Sequence, residues 1–98
     1  MKLLPIIVKA KLWLWQGKGA WHFITIEQNE ADLIKEMYMW PRKGFGSIPV
    51  KVTIGKTIWK TSVFPNKETF ILPIKKLVRD AENINVDDLL KVTLEVQN

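Results

Sequence analysis

Side chains alternate through residues 6–15: Ile6, Val8, Ala10, Leu12 and Leu14 point one way, and Ile7, Lys9, Lys11, Trp13 and Trp15 the other. A period of two predicts a β-strand with one face on a core. Gln16-Gly17-Lys18-Gly19 reads as a turn, because its glycines permit positive φ. A second strand over Trp21 to Glu27 then folds back as a hairpin. The period changes after Asn29, which suits a helix cap with Asp32 at the capping-box position. Leu33, Ile34, Met37 and Tyr38 form the apolar stripe of that helix, and Pro41 ends it.

Arg42 to Ser47 reads as a loop, and Val50, Val52 and Ile54 mark a third strand. Gly55-Lys56 turns the chain into a fourth strand, Thr57 to Phe64, which Pro65-Asn66 breaks. Thr69 to Leu72 is a short fifth strand. Pro73 suits the first turn of a second helix inside residues 73–83, with Ile74, Leu77, Val78 and Ala81 as its buried stripe and Asn83 at its end. Asn85 to Asp88 turn into a last strand, Leu89 to Val96. The order strand, strand, helix, strand thus occurs twice, with Lys51-Val52-Thr53-Ile54 and Lys91-Val92-Thr93-Leu94 at matching places. Six strands with two short helices exclude a doubly wound sheet. The expected fold is mainly β: a six-stranded closed or split barrel with helical caps, since closure removes exposed strand edges.

Composition narrows the class. The chain has 98 residues, 47% hydrophobic and 26% charged, which fits one globular domain over residues 1–98. It has no cysteine, so disulfide and thiolate chemistry are excluded. Lys9, Lys11 and Pro5 interrupt the apolar start, and no run approaches the roughly 18 apolar residues of a membrane span. A cytoplasmic setting without membrane contact is the expectation. The net charge of +5 is unevenly placed. Residues 1–26 and 41–67 carry lysine and arginine with no acid, and the acids fall in 27–40 and 68–98. Such segregation attracts anions.

Little in the chain points to catalysis. His22 is the only histidine, and no Ser–His–Asp or Cys–His set accompanies it. Too few ligands are available for zinc, and Asp87-Asp88 reads as a solvated turn. No cofactor, metal or catalytic residue is expected. The five tryptophans carry more information. Trp13 and Trp15 share a face with Lys9 and Lys11. Aromatic plates beside cations suit stacking on bases and contacting phosphates, and they equally suit protein contacts or burial beneath a capping helix.

Three segments together resemble one family over nearly the whole chain. They are Gly44-Phe45-Gly46-Ser47-Ile48-Pro49-Val50-Lys51-Val52-Thr53-Ile54-Gly55, then Trp59-Lys60-Thr61-Ser62-Val63-Phe64-Pro65, then Leu72-Pro73-Ile74-Lys75-Lys76-Leu77-Val78-Arg79. The set is similar to the domain-of-unknown-function family nineteen-oh-five. The resemblance implies a double-split β-barrel capped by helices. That fold is shared with the swapped-hairpin barrels of transition-state regulators and addiction antidotes, which bind DNA as dimers. The family itself has no established activity. Where it usually reads Gly-Asp before the last strand, this chain has Asp87-Asp88, and aspartate tolerates the positive φ of such a turn.

The function expected from all this is a small non-catalytic binding or interaction module, as monomer or homodimer. Its partner would be a protein or a small anionic ligand. The candidate ligand-binding residues are Arg42, Lys43, Gly44, Phe45, Gly46, Trp59, Thr61, Ser62 and Arg79. The hydroxyls of Thr61 and Ser62 can serve a ligand or be ordinary strand residues. Arg79 can pair with an acid or hold an anion. The alternative is nucleic-acid binding over Lys9, Lys11, Trp13 and Trp15. Since only Arg42 and Arg79 offer a bidentate fork, that binding is expected to be weak and indifferent to sequence.

Overall fold

The structure, a computed structural model, describes residues 4–38 and 46–97. Among them the strands are β1 (Ile6–Lys11), β2 (Trp13–Gly17), β3 (Gly19–Ile26), β4 (Ile48–Ile54), β5 (Thr57–Asn66), β6 (Thr69–Pro73) and β7 (Leu89–Val96). The helices are α1 (Gln28–Tyr38) and α2 (Lys76–Glu82). All strand pairs are antiparallel, in the order β1-β7-β4-β5-β6-β3-β2. The fold is therefore the helix-capped, curled β-barrel sheet expected, with one more strand than expected.

The extra strand has a physical cause. The long alternating segment does not stay in one sheet: β1 pairs with β7, whereas β2 pairs with β3. Leu12 is the hinge, with its side chain fully buried. Its N–H donates to the Asp88 carbonyl at 3.1 Å and its carbonyl accepts the Asp87 N–H at 2.8 Å. The bend thus leaves no backbone group of Leu12 unpaired, and the two ends of the sheet order are one continuous chain. β5 does the same. Its first part pairs with β4 through Val63, and its last part pairs with β6 from Phe64 onward. It runs through Pro65 to Asn66 instead of breaking there, because a proline near a hairpin end costs the ladder little.

The two halves are related by an approximate two-fold axis. The matching segments of β4 and β7 lie side by side, with Thr53 opposite Thr93. Exchanging β4 with β7, β1 and β2 with β5, and β3 with β6 leaves the strand order unchanged. Val8 opposite Val92 then answers to Trp59 opposite Val52. Four residues on from Val8 and from Trp59 stand Leu12 and Val63, both fully buried, so the two hinges are equivalent.

The inner faces of both sheets meet in one core. Val8, Ile24, Ile26, Val50, Val52, Phe70, Leu72, Val92 and Leu94 are all buried, and no polar side chain among the described residues is. The helices cover the two ends of this core, and here the sequence reading needs correction. α1 begins at Gln28, and the Glu27 carbonyl accepts the Ala31 N–H at 2.8 Å, so Asn29 lies inside the first turn instead of capping it. Its buried side runs through Ala31 and Ile34 toward Met37 and Tyr38; Leu33, two residues and about 200° round from Ala31, is exposed.

α2 begins later than Pro73 suggests. Pro73 ends β6 opposite Phe23, and Ile74 N–H donates to the His22 carbonyl at 2.8 Å, which keeps this stretch in the sheet. The resulting seven-residue helix buries Val78, with Ile74 and Ile84 on either side of it, and leaves Leu77 and Ala81 exposed. Asn83 closes the helix in the left-handed region at φ 54°. The Glu82 carboxylate ties α2 to the β4–β5 turn by accepting from the Thr57 hydroxyl at 2.6 Å and the Lys56 N–H at 3.3 Å. A Cβ at Gly55 would collide with that carboxylate. Arg42 to Phe45 and Pro41 lie outside the described residues.

Two stability measurements check this account. Leu12→Ala empties a fully buried position at the hinge and is expected to cost about 2–5 kcal/mol in urea unfolding; a loss below about 1 kcal/mol would mean that the hinge needs no side chain. Asp87 holds φ 73° in the turn before β7, as the turn chemistry requires. Asp87→Gly relieves that strain and is expected to raise stability by about 0.5–1 kcal/mol, net of the greater freedom of glycine when unfolded.

Candidate functional site

The inner faces of the strands carry the core, and the outer face is open to a ligand. On β2, β3, β5 and β6 that face is aromatic. The β2–β3 register sets Trp15 opposite Trp21 and Trp13 opposite Phe23. The β3–β6 register adds Pro73 beside Phe23 and Ile71 beside Thr25, and β5 adds Phe64 beside Ile71 and Asn66 beside Thr69. Together with Asn66, the aromatic and apolar side chains Trp13, Trp15, Trp21, Phe23, Phe64, Ile71 and Pro73 line an open groove of about 450 Å³. That volume lies in the usual range for small-ligand sites, about 300–1,000 Å³.

The groove floor is braced from within. The Trp13 indole N–H donates to the Thr25 hydroxyl at 3.0 Å, and its ring sits 5.1 Å from Phe23 at 39°. Trp21 lies nearly parallel to Phe23, at 9° and 6.1 Å. Trp15 and Trp21 remain 47% and 52% exposed, so each offers much of its surface to a partner. Trp15 reaches over Gly17, where a Cβ would strike its ring. The absent side chain is what lets the indole rest against the strand.

The groove straddles the two-fold. Residue for residue, Trp13 answers to Phe64 and Trp15 to Asn66, one and three positions past the hinges Leu12 and Val63. Phe23 opposite Trp13 answers to Ile71 opposite Phe64. One half therefore contributes large rings and the other smaller groups, which leaves the space between them.

Of the residues expected from sequence, Trp13 and Trp15 line this groove, and Lys9 and Lys11 extend the same outward row past the Leu12 bend, exposed. Trp59 and Thr61 share the inward face of β5 with Val63, and Trp59 packs against the core. Ser62 faces outward opposite Pro49. Gly46 is exposed ahead of β4. Arg42, Lys43, Gly44 and Phe45 lie outside the described residues. Alternation in residues 21–25 already set Trp21 and Phe23 opposite Ile24. That Phe64, Ile71 and Pro73 complete the same surface depends on β5 and β6 lying beside β3, and no local signal announces it.

Arg79 and His22 form a second arrangement, on the inner side of the hairpin. Arg79 Nε–H donates to the Ile74 carbonyl at 3.1 Å, and its Nη1 stands 3.4 Å from His22 Nε2. A guanidinium only donates, so Nε2 accepts and the ring proton sits on Nδ1, which is buried without a partner among the described residues. Desolvation first, and the adjacent Arg79 charge second, hold the His22 pKa below its ordinary value. The pair orients α2 against the β3 hairpin. Among the described residues no three His, Cys, Asp or Glu side chains gather as a metal site, and no helix is long and apolar enough to cross a membrane.

Residues 9–94 match a family model described as a domain of unknown function, DUF1905. The match takes in both hinges, both helices and every strand that lines the groove. No curated protein matches the chain.

His22 predicts a pH dependence. Its folded pKa lies below the unfolded 6.5, so the unfolded chain binds the proton more readily. Stability from this group is complete above pH 6.5 and declines as pH falls from there through the folded pKa. Urea midpoints measured across that window should fall in the wild type and stay flatter in His22→Gln. Identical profiles would show that folding does not lower the His22 pKa.

Proposed function

The chain belongs to the DUF1905 family, and we propose that it works as a non-catalytic binding module whose contact surface is the aromatic groove of β2, β3, β5 and β6. The observation that carries this reading is the pair Trp15 and Trp21, about half exposed on a rigid sheet above a floor of packed rings. Large aromatic side chains left open on a braced scaffold supply binding energy at low entropic cost. The groove offers stacking and apolar contact, with Asn66 as a polar group at one end. Among the described residues that line it there is no acid, base or nucleophile that could move a proton or attack a carbonyl, which supports binding over turnover.

An apolar fluorescent anion, anilinonaphthalene sulfonate, is a direct probe. It should bind the folded protein with enhanced emission. Trp15→Ala and Trp21→Ala should each weaken binding about fivefold or more, the worth of one aromatic contact. Both positions are surface sites, so thermal unfolding should be little changed. Undiminished binding in both variants would remove the groove as the contact surface.

A further inference from the structure

We propose that the occupant of the groove is a single-stranded nucleic acid, its bases stacked on the aromatic floor and its phosphates reaching lysines on both flanks. The inference rests on the binding-module reading above and adds the class of partner.

The walls select the ring. Among the described residues no acid lines the groove, and the exposed lysines around it repel a cationic ligand. A sugar would find, among the described residues, Asn66 as the one lining side chain that offers both donor and acceptor. A flat ring system suits the site: Trp15 and Trp21 sit directly opposite one another, and the next rung, Trp13 and Phe23, lies two residues along, about 7 Å away. Stacking on such platforms is indifferent to which base is present, because every base has a π-face.

The flanks select the chain. Lys9, Lys11, Trp13 and Trp15 project outward from one continuous run, first in β1 and then in β2. The symmetry-related run on β5 carries Lys60, Ser62, Phe64 and Asn66. Lys9 and Lys60 are equivalent, since each stands opposite a matching lysine, Lys91 and Lys51. Both lie four residues, at most about 14 Å across the bend, from the first ring of their strand, Trp13 or Phe64. Lys18 stands in the turn beyond Trp15 and Trp21. Lys9, Lys11, Lys18 and Lys60 are exposed and make no ion pair among the described residues. Glu27 and Glu68 lie near the Asn66 end, Glu95 pairs with Lys51, and Asp87 and Asp88 are exposed in the turn bonded to Leu12, beside Lys11.

None of these lysines lines the groove itself. A small anion seated in it would therefore lack a cation, whereas a chain of phosphates crossing it meets one on either side. A duplex keeps its bases stacked on each other and cannot offer them to the tryptophans, so the strand must be single.

Fluorescence anisotropy with a labelled oligothymidylate tests this at about 50 and about 200 mM salt, a range that exposes the electrostatic part of binding. The competitors are the duplex with oligoadenylate, heparin as a polyanion without bases, and thymidine monophosphate. The single strand should bind more tightly than all three. Trp21→Ala should weaken it about tenfold or more, and Trp21→Phe, which keeps a ring, should restore most of the affinity. Lys9→Ala and Lys60→Ala should each lower the salt slope by about 0.7. Equal binding of heparin, equal binding of the mononucleotide, or an unchanged Trp21→Ala variant would each overturn the proposal. If the oligonucleotide fails to bind while the naphthalene probe still binds and is lost in Trp21→Ala, the nucleic-acid occupant is wrong and the groove stands. If neither binds, both readings fall.

Discussion

Two strands of this protein each serve two sheets, and everything else follows from how they turn. A continuous alternating strand can keep only one face on one core. By bending at Leu12 and at Val63, the chain wraps both sheets around the same apolar interior. Each hinge is a fully buried aliphatic side chain, and at Leu12 the neighbouring turn of Asp87 and Asp88 takes up both backbone groups. A bend without those two hydrogen bonds would leave a polar backbone in the core at a cost of about 1–3 kcal/mol for each unpaired group.

The bends also make the outer surface. Just past each hinge the chain projects a large ring outward, Trp13 in one half and Phe64 in the other. β3 and β6 lie between these rings and set the floor. Further out the halves diverge, with Trp15 against Asn66, and that divergence turns a symmetric sheet face into an uneven groove. The two-fold places lysines on both approaches, while the local differences decide where rings can stack. Scaffold and site are thus set by different residues on the same strands.

α1 and α2 close the two ends of the core by different means. α1 does so with an apolar stripe. α2, only seven residues long, buries Val78 and relies on polar ties: Glu82 to the β4–β5 turn, and Arg79 to the Ile74 carbonyl and His22. A short helix forms few internal hydrogen bonds, so such anchors carry much of its stability. The conformation of Gly55, at φ 57°, belongs to the same arrangement, because the Glu82 carboxylate occupies the space a side chain would need.

Local sequence was sufficient wherever one residue's chemistry decides. Period-two alternation located the strands, glycine and asparagine marked the turns, and the repeat of Lys-Val-Thr in β4 and β7 pointed to two equivalent halves. The positive φ of Asp87 was legible only through the family resemblance, which usually has glycine at that place, and aspartate tolerates the region. Pairing between distant segments was not legible. The alternation of residues 6–15 carries no mark at Leu12, since the bend depends on which strand each part finds as a neighbour. Pro73 fits a strand end as well as a helix start, and only the hydrogen bond from Ile74 to His22 decided between them. In the same way Trp13 and Trp15 stood out as a possible surface, while Phe64, Ile71 and Pro73 became part of it only through cross-strand register. The sequence by itself determined which face each strand side chain takes, because alternation is a local property of the backbone. The tertiary structure alone decided which faces adjoin, because that depends on contacts between residues far apart in the chain.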